Sequence, residues 1–171
     1  MLTNIFNKDF IKTFYGAKRN HIGTNTQSIG HTTETVVTLA NTANYSNEYD
    51  IGGWWNSANP ERFTVPVGFN YVRIYGQIVW AIDSTLLYTR ASLFKNGAAF
   101  ANRPADIWTF NSTTGTSPVN NLASAPIPVV AGDYFTLTGF QRHSSSATLN
   151  IVGTSIEVNT RSYFAIEGWS I

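Results

Sequence analysis

The sequence predicts an all-β protein, a sandwich or barrel of about eight to ten short strands preceded by an N-terminal arm. Three observations lead there. Aromatic residues make 14% of the chain and Thr, Asn and Ser are abundant, whereas charged residues make only 12% and Met occurs once. Thr and aromatic residues fit pleated, half-buried surfaces, and Asn, Ser and Gly serve turns. Residues 71–82 alternate with period two, placing Val72, Ile74, Ile78, Trp80 and Ile82 on one side and Tyr71, Arg73, Tyr75, Gln77 and Val79 on the other. Such alternation marks a half-buried strand. Short apolar runs separated by Gly, Pro, Asn and Ser then recur from residue 35 onward.

Taken in order, Leu2, Ile5, Phe6, Phe10, Ile11, Phe14 and Tyr15 recur near helical spacing, so residues 4–15 read as a short amphipathic helix. A helix of that length is marginal alone in water and gains order by docking. The polar, glycine-punctuated residues 16–33 read as an extended arm or linker, which sets an anchoring arm and linker at 1–31 and a folded domain at 32–171. Strands follow at 35–39, at 63–65 (stopped by Pro66), at 71–82 and at 86–95. Asn96-Gly97 is a hairpin signal, because both central residues of a type I′ turn need positive φ. Residues 101–124 read as a long loop with a short strand at 107–110. Strands at 126–130, 134–140, 149–152 and 163–171 complete the set.

Several function classes are excluded or disfavoured. A chain of 171 residues suits one domain, and a net charge of +1 excludes a strongly basic nucleic-acid binder. No apolar run is long enough to span a membrane as a helix, and residues 1–20 lack the apolar core of a secretory signal. With no cysteine there is neither a disulfide framework nor a thiolate metal site. His21, His31 and His143 have no metal-binding spacing, and no nucleophile elbow, Walker loop or dinucleotide fingerprint is present. The expectation is a protein that is not an enzyme and uses no cofactor or metal. Glu48 and Asp50 read as solvated loop acids rather than a glycosidase pair, His143 as a loop residue, and Asp83, Asp106 and Asp133 lack calcium-loop spacing. Trp54 and Trp55 are neighbours in an extended segment and point opposite ways, so one of them packs under the sheet. Trp54, and Trp108 in the long polar loop, are the candidate ligand-binding residues.

The odd side of 71–82 is too aromatic for a plain solvent face. Interface cores favour Tyr, Trp, Phe and Arg over Lys and Glu, so Tyr71, Arg73, Tyr75 and Val79 are candidate subunit-contact residues. Tyr134 and Phe140, across their strand from Phe135 and Leu137, join them, as does Tyr163.

Five features occur in a telling order. They are the aromatic lead-in with Gly52-Gly53-Trp54-Trp55, the turn Pro66-Val67-Gly68 before the long strand, Lys95-Asn96-Gly97, the turn Val130-Ala131-Gly132-Asp133, and the closing run Ser162-Tyr163-Phe164-Ala165-Ile166. Together they resemble the jelly-roll domain of the complement-q and tumour-necrosis-factor (TNF) superfamily, over about residues 35–171. The resemblance implies a two-sheet antiparallel jelly-roll sandwich that assembles as a threefold homotrimer. The Gly-Gly-Trp-Trp and Lys-Asn-Gly forms are similar to small virion proteins of tailed bacteriophages. That likeness implies a capsid decoration (cement) or head-fibre protein on the outer surface of the particle, bound to the major capsid protein or another virion protein. The alternative it implies is a receptor- or glycan-binding domain of a tail fibre, contacting a host surface glycan.

The basic arm, where Lys8, Lys12, Lys18 and Arg19 face only Asp9, has two readings. It could lie on an anionic membrane, or it could dock Ile5, Phe6, Lys8, Phe10 and Phe14 into a larger assembly, three arms together gaining avidity. The near-neutral domain favours the second, with no membrane or nucleic acid as partner.

Overall fold

The structure, a computed structural model, describes residues 14–21, 27–39, 48–99, 107–110, 117–152 and 162–170. Among them are fourteen strands and no helix. One sheet contains β1 (Tyr15–Asn20), β4 (Tyr49–Ile51), β6 (Tyr71–Val79), β10 (Val119–Ala123) and β14 (Tyr163–Trp169) in the order β10-β6-β14-β1-β4, with β11 (Ile127–Pro128) also paired to β6. The second contains β3 (Thr35–Val36), β12 (Tyr134–His143), β7 (Leu86–Lys95) and β8 (Ala98–Ala99) in the order β3-β12-β7-β8. There β5 (Arg62–Thr64) pairs with β12 and β9 (Ile107–Phe110) with β7. A separate pair joins β2 (Gln27–Ile29) to β13 (Leu149–Ile151). Every one of these ladders is antiparallel.

The all-β, two-sheet prediction holds, and β7 and β9 have the boundaries read from the sequence. The strand total exceeds the expected eight to ten because β1, β2, β4, β8 and β10 are not read as strands from the sequence; β2, β4 and β8 are three residues or shorter, too brief to leave a periodic signal.

The N-terminal reading needs correction. Tyr15–Asn20 is not a helix end followed by a linker; it is an interior strand, held between β14 and β4. The boundary expected near residue 32 therefore falls inside the folded body. The polar stretch YGAKRN pairs because its core-facing members are accommodated: Ala17 is buried, and Arg19 lies 4.1 Å over the Trp55 ring and 3.8 Å from Glu48. Residues 1–13, and with them Ile5, Phe6, Lys8 and Phe10, lie outside the described residues.

The core forms where the two sheets face each other. Val72, Ile74 and Ile78 of β6 and Phe164 and Ile166 of β14 meet Phe63, Leu93, Phe135 and Leu137 of the second sheet. Phe63 stacks on Phe164 across this gap with centroids 4.9 Å apart. Each buried aliphatic or aromatic side chain of this kind contributes about 1.5–3 kcal/mol.

Two of the sequence motifs prove to be halves of one lock. Asn96 (φ 53°) and Gly97 (φ 77°) form the predicted positive-φ turn between β7 and β8. Asn96 Oδ1 accepts from Tyr134 N at 2.8 Å, while Asn96 Nδ2 donates to Asp133 Oδ1 at 2.8 Å. Lys95 Nζ sits 2.7 Å from the other Asp133 oxygen, which also accepts from Val130 N at 3.0 Å. Lys-Asn-Gly and Val-Ala-Gly-Asp are thus joined side chain to side chain.

Candidate subunit interface

Pairing in the first sheet determines what shares its outer surface. Cross-strand partners lie on the same side of a sheet. The register sets Tyr71 opposite Trp169, Arg73 opposite Glu167, Tyr75 opposite Ala165 and Gln77 opposite Tyr163. Lys18 of β1 lies opposite Ala165 and also opposite Tyr49 of β4. Apart from the buried Ala165, these alternate with the buried positions of their strands, so they form the face turned away from the core. That face presents Tyr49, Tyr71, Tyr75, Tyr163 and Trp169, with Lys18, Arg73 and Glu167 among them.

The charges on this face are tied to the rings. Tyr75 Oη donates to Glu167 Oε2 at 3.3 Å, and Lys18 Nζ lies 4.7 Å over the Tyr163 ring. Burial holds the Lys18 ammonium below its ordinary pKa, against the opposing pull of Glu48. Burial, followed by Glu167, Tyr75 and Tyr163, pushes the Tyr49 phenol above its ordinary value. Charge here is already partly removed from water within one chain.

Of the seven residues read from the sequence as interface candidates, Tyr71, Arg73, Tyr75 and Tyr163 come together on this face. Val79 is on the same strand but only 8% exposed, so its own chain already covers it. Tyr134 and Phe140 do not join them. They lie on β12, in the second sheet, where Phe140 pairs with Arg90 and stacks near Tyr88. No flat contact takes both groups at once. Tyr49 and Trp169 escaped the sequence reading; the long-range pairing of β4 with β1 places the first and that of β14 with β6 the second, and no local pattern could have.

The ligand-binding candidates separate as well. Trp54 is 1% exposed and cannot serve as a stacking platform; its indole lies against Phe69 and over Gly168, where a Cβ would sit 2.2 Å from Trp54 Cη2. It is the member of the tryptophan pair that packs under the sheet. Trp108 is 44% exposed on β9, yet its ring is engaged by Tyr88 at 5.1 Å and by the Arg90 guanidinium at 4.9 Å. Arg90 in turn pairs with Glu34.

The acids are not solvated loop groups as read. Glu48, its side chain fully buried, accepts from Asn20 N at 2.7 Å. Asp50 accepts from the amides of Trp54 and Trp55 at 2.8 and 3.2 Å, fixing the Gly-Gly-Trp-Trp turn. His143 is likewise buried rather than a free loop residue: its Nε2 lies 2.9 Å from Asp83, and its Nδ1 lies 2.9 Å from Ser145 Oγ. Hydrogen bonds from Thr85, with His143, bring the Asp83 carboxyl down to about 2. Among the described residues no group of three His, Cys, Asp or Glu side chains converges to hold a metal.

Comparison with solved structures gives this architecture its class. The structure of Eiger TNF from S. frugiperda superposes with a TM-score of 0.53 at 15% identity, over 92% of this chain and 93% of that one. Murine APRIL at pH 8.0 superposes with a TM-score of 0.57 at 10% identity, over 91% of this chain and 99% of that one. Murine APRIL at pH 5.0 gives 0.56 at 9% identity, with the same coverage. The fold is a TNF-like jelly roll. No known protein-family model matches the chain, and neither does any curated protein sequence.

Proposed function

We propose that this protein is a non-enzymatic structural component of a tailed-phage particle, a homotrimeric capsid decoration or head-fibre protein attached through residues preceding β1. One observation carries the trimer: the outer face of β6, β14, β1 and β4 gathers four tyrosines and a tryptophan around a few partly desolvated charges. Monomeric proteins rarely expose a broad apolar patch, and such patches mark association sites. Aromatic rings interleaved with single Arg and Lys groups match the composition of interface cores. The homotrimer implied by the motif resemblance accounts for such a face, because a closed threefold ring joins subunits head to tail and so covers this face of each one against its neighbour. Support for the virion setting comes from the Gly-Gly-Trp-Trp and Lys-Asn-Gly motifs.

The trimer is tested by light scattering on the purified chain. A mass three times 18.9 kDa is expected, and Tyr75→Glu, which places a second carboxylate beside Glu167, should release single subunits. A mass of 18.9 kDa for the unaltered chain at micromolar concentration would remove the proposal.

A further inference from the structure

The turn that carries the lock between Lys95, Asn96, Asp133 and Tyr134 is also the chain's one Asn-Gly pair. In such a pair the glycine nitrogen has no side chain beside it and can attack Cγ of the asparagine. We propose that Asn96 is a self-modification site, an amide that deamidates through a cyclic imide when the lock opens, and that the lock is its guard.

The chemistry needs only the chain and water. Gly97 N gives up its hydrogen and bonds to Asn96 Cγ, the Cγ–Nδ2 bond breaks, and the side-chain amide leaves as ammonia. Water then opens the five-membered imide at one of its two carbonyls. The product is aspartate, or isoaspartate, in which the backbone runs through the side-chain carbons.

The fold demands this labile pair and then restrains it. Any other residue at 97 would be strained by the φ of 77° and would set a Cβ 2.9 Å from Tyr134 Oη. Asn96, at φ 53°, occupies the left-handed region that asparagine tolerates better than most residues. Both residues are exposed, so burial shields neither from water. The restraint is the bonding of the side chain itself. Its Oδ1 accepts from Tyr134 N and its Nδ2 donates to Asp133 Oδ1, each at 2.8 Å. Asp133 is in turn fixed by Lys95 Nζ at 2.7 Å and Val130 N at 3.0 Å. Imide formation requires the side-chain amide to turn its face toward Gly97 N, and an amide pinned at both ends cannot turn. Reaction therefore proceeds from the open fraction, at the rate of a free Asn-Gly pair multiplied by that fraction.

The product cannot lock again. Aspartate at 96 has no N–H to give Asp133 and sets a second carboxylate against it. Isoaspartate adds a backbone carbon to a two-residue turn, out of step with the register that pairs Phe94 with Ala99 and Lys95 with Ala98. Each chain that opens long enough is thus marked permanently. The inference goes beyond the structural role proposed above and requires neither trimer nor virion.

Peptide mapping by mass spectrometry tests it on the intact chain, incubated folded or in urea at mildly alkaline pH. Asn96 is expected to deamidate in the unfolded chain and at least about tenfold more slowly in the folded one, the weight of one such hydrogen bond. Hydrogen exchange at Tyr134 N, whose acceptor is Asn96 Oδ1, should be slowed by a similar factor, because one opening frees both groups. Asp133→Ala should speed the folded reaction about tenfold. Asn120→Leu removes the acceptor of Trp80 Nε1 without touching the lock and should leave the rate at that of the parent chain. The inference is overturned if Asn96 stays intact even when unfolded, or if folded and unfolded chains react at one rate. It is equally overturned if Tyr134 N exchanges freely while Asn96 is protected, if Asp133→Ala folds and leaves the rate unchanged, or if both substitutions accelerate the reaction alike.

Discussion

Asp133 connects segments far apart in the chain, and its protonation reports on them. Partial burial would raise its pKa, but the hydrogen bonds from Lys95, Asn96 and the Val130 amide outweigh that and hold it below the ordinary carboxylate value. A carboxyl depressed in the folded state stabilises the fold above its unfolded pKa, ~4, and that contribution is lost as pH falls through the folded value. Asp83, at about 2, acts in the same direction, though its one-third exposure lets solvent screen most of the effect. The thermal unfolding midpoint should therefore fall progressively below pH ~4. Asp133→Asn should cost about 1–3 kcal/mol at neutral pH and flatten this acid limb; an acid limb as steep as that of the parent protein would show that the lock at Lys95 and Asn96 contributes nothing.

Strands β6, β7 and β9 were legible because their apolar residues alternate or run together. In contrast, β1 and β10 were not, because each sends polar side chains into the core. In β10 the residue is Asn120, fully buried, whose Oδ1 accepts from Trp80 Nε1 at 2.6 Å and whose Nδ2 donates to Thr109 Oγ1 at 2.8 Å. Read alone, Val119-Asn-Asn-Leu-Ala looks like loop. Only its partners, above all the indole of Trp80 just beyond the neighbouring strand β6, make the asparagine a core residue. Asn120→Leu keeps approximate volume but strands the Trp80 N–H, so it should destabilise by about 1–3 kcal/mol in denaturant unfolding; an unchanged midpoint would mean the indole finds another acceptor. The candidate interface follows the same rule. Its β6 half could be read from alternation, whereas Tyr49 and Trp169 needed pairings between distant segments.

For the whole molecule, the position of β1 decides how an anchoring segment can be tested. Removing residues 1–20 would delete a strand from the middle of a sheet, so loss of attachment would say nothing specific. Removing residues 1–13 leaves every described residue in place. That truncated chain is expected to fold, to keep the oligomeric mass of the full chain and to lose particle attachment in co-sedimentation with capsids; decoration at the original level would discard the anchor. The pairing of Tyr15 with Gly168 and of Asn20 with Tyr163 has a further consequence in time. During synthesis β1 is made long before β14, its neighbour on one side. Until then one edge of β1 is open to foreign strands, so productive folding has to outrun aggregation on the ribosome. Slow translation or crowded expression should therefore harm yield more than any defect in the finished molecule would suggest.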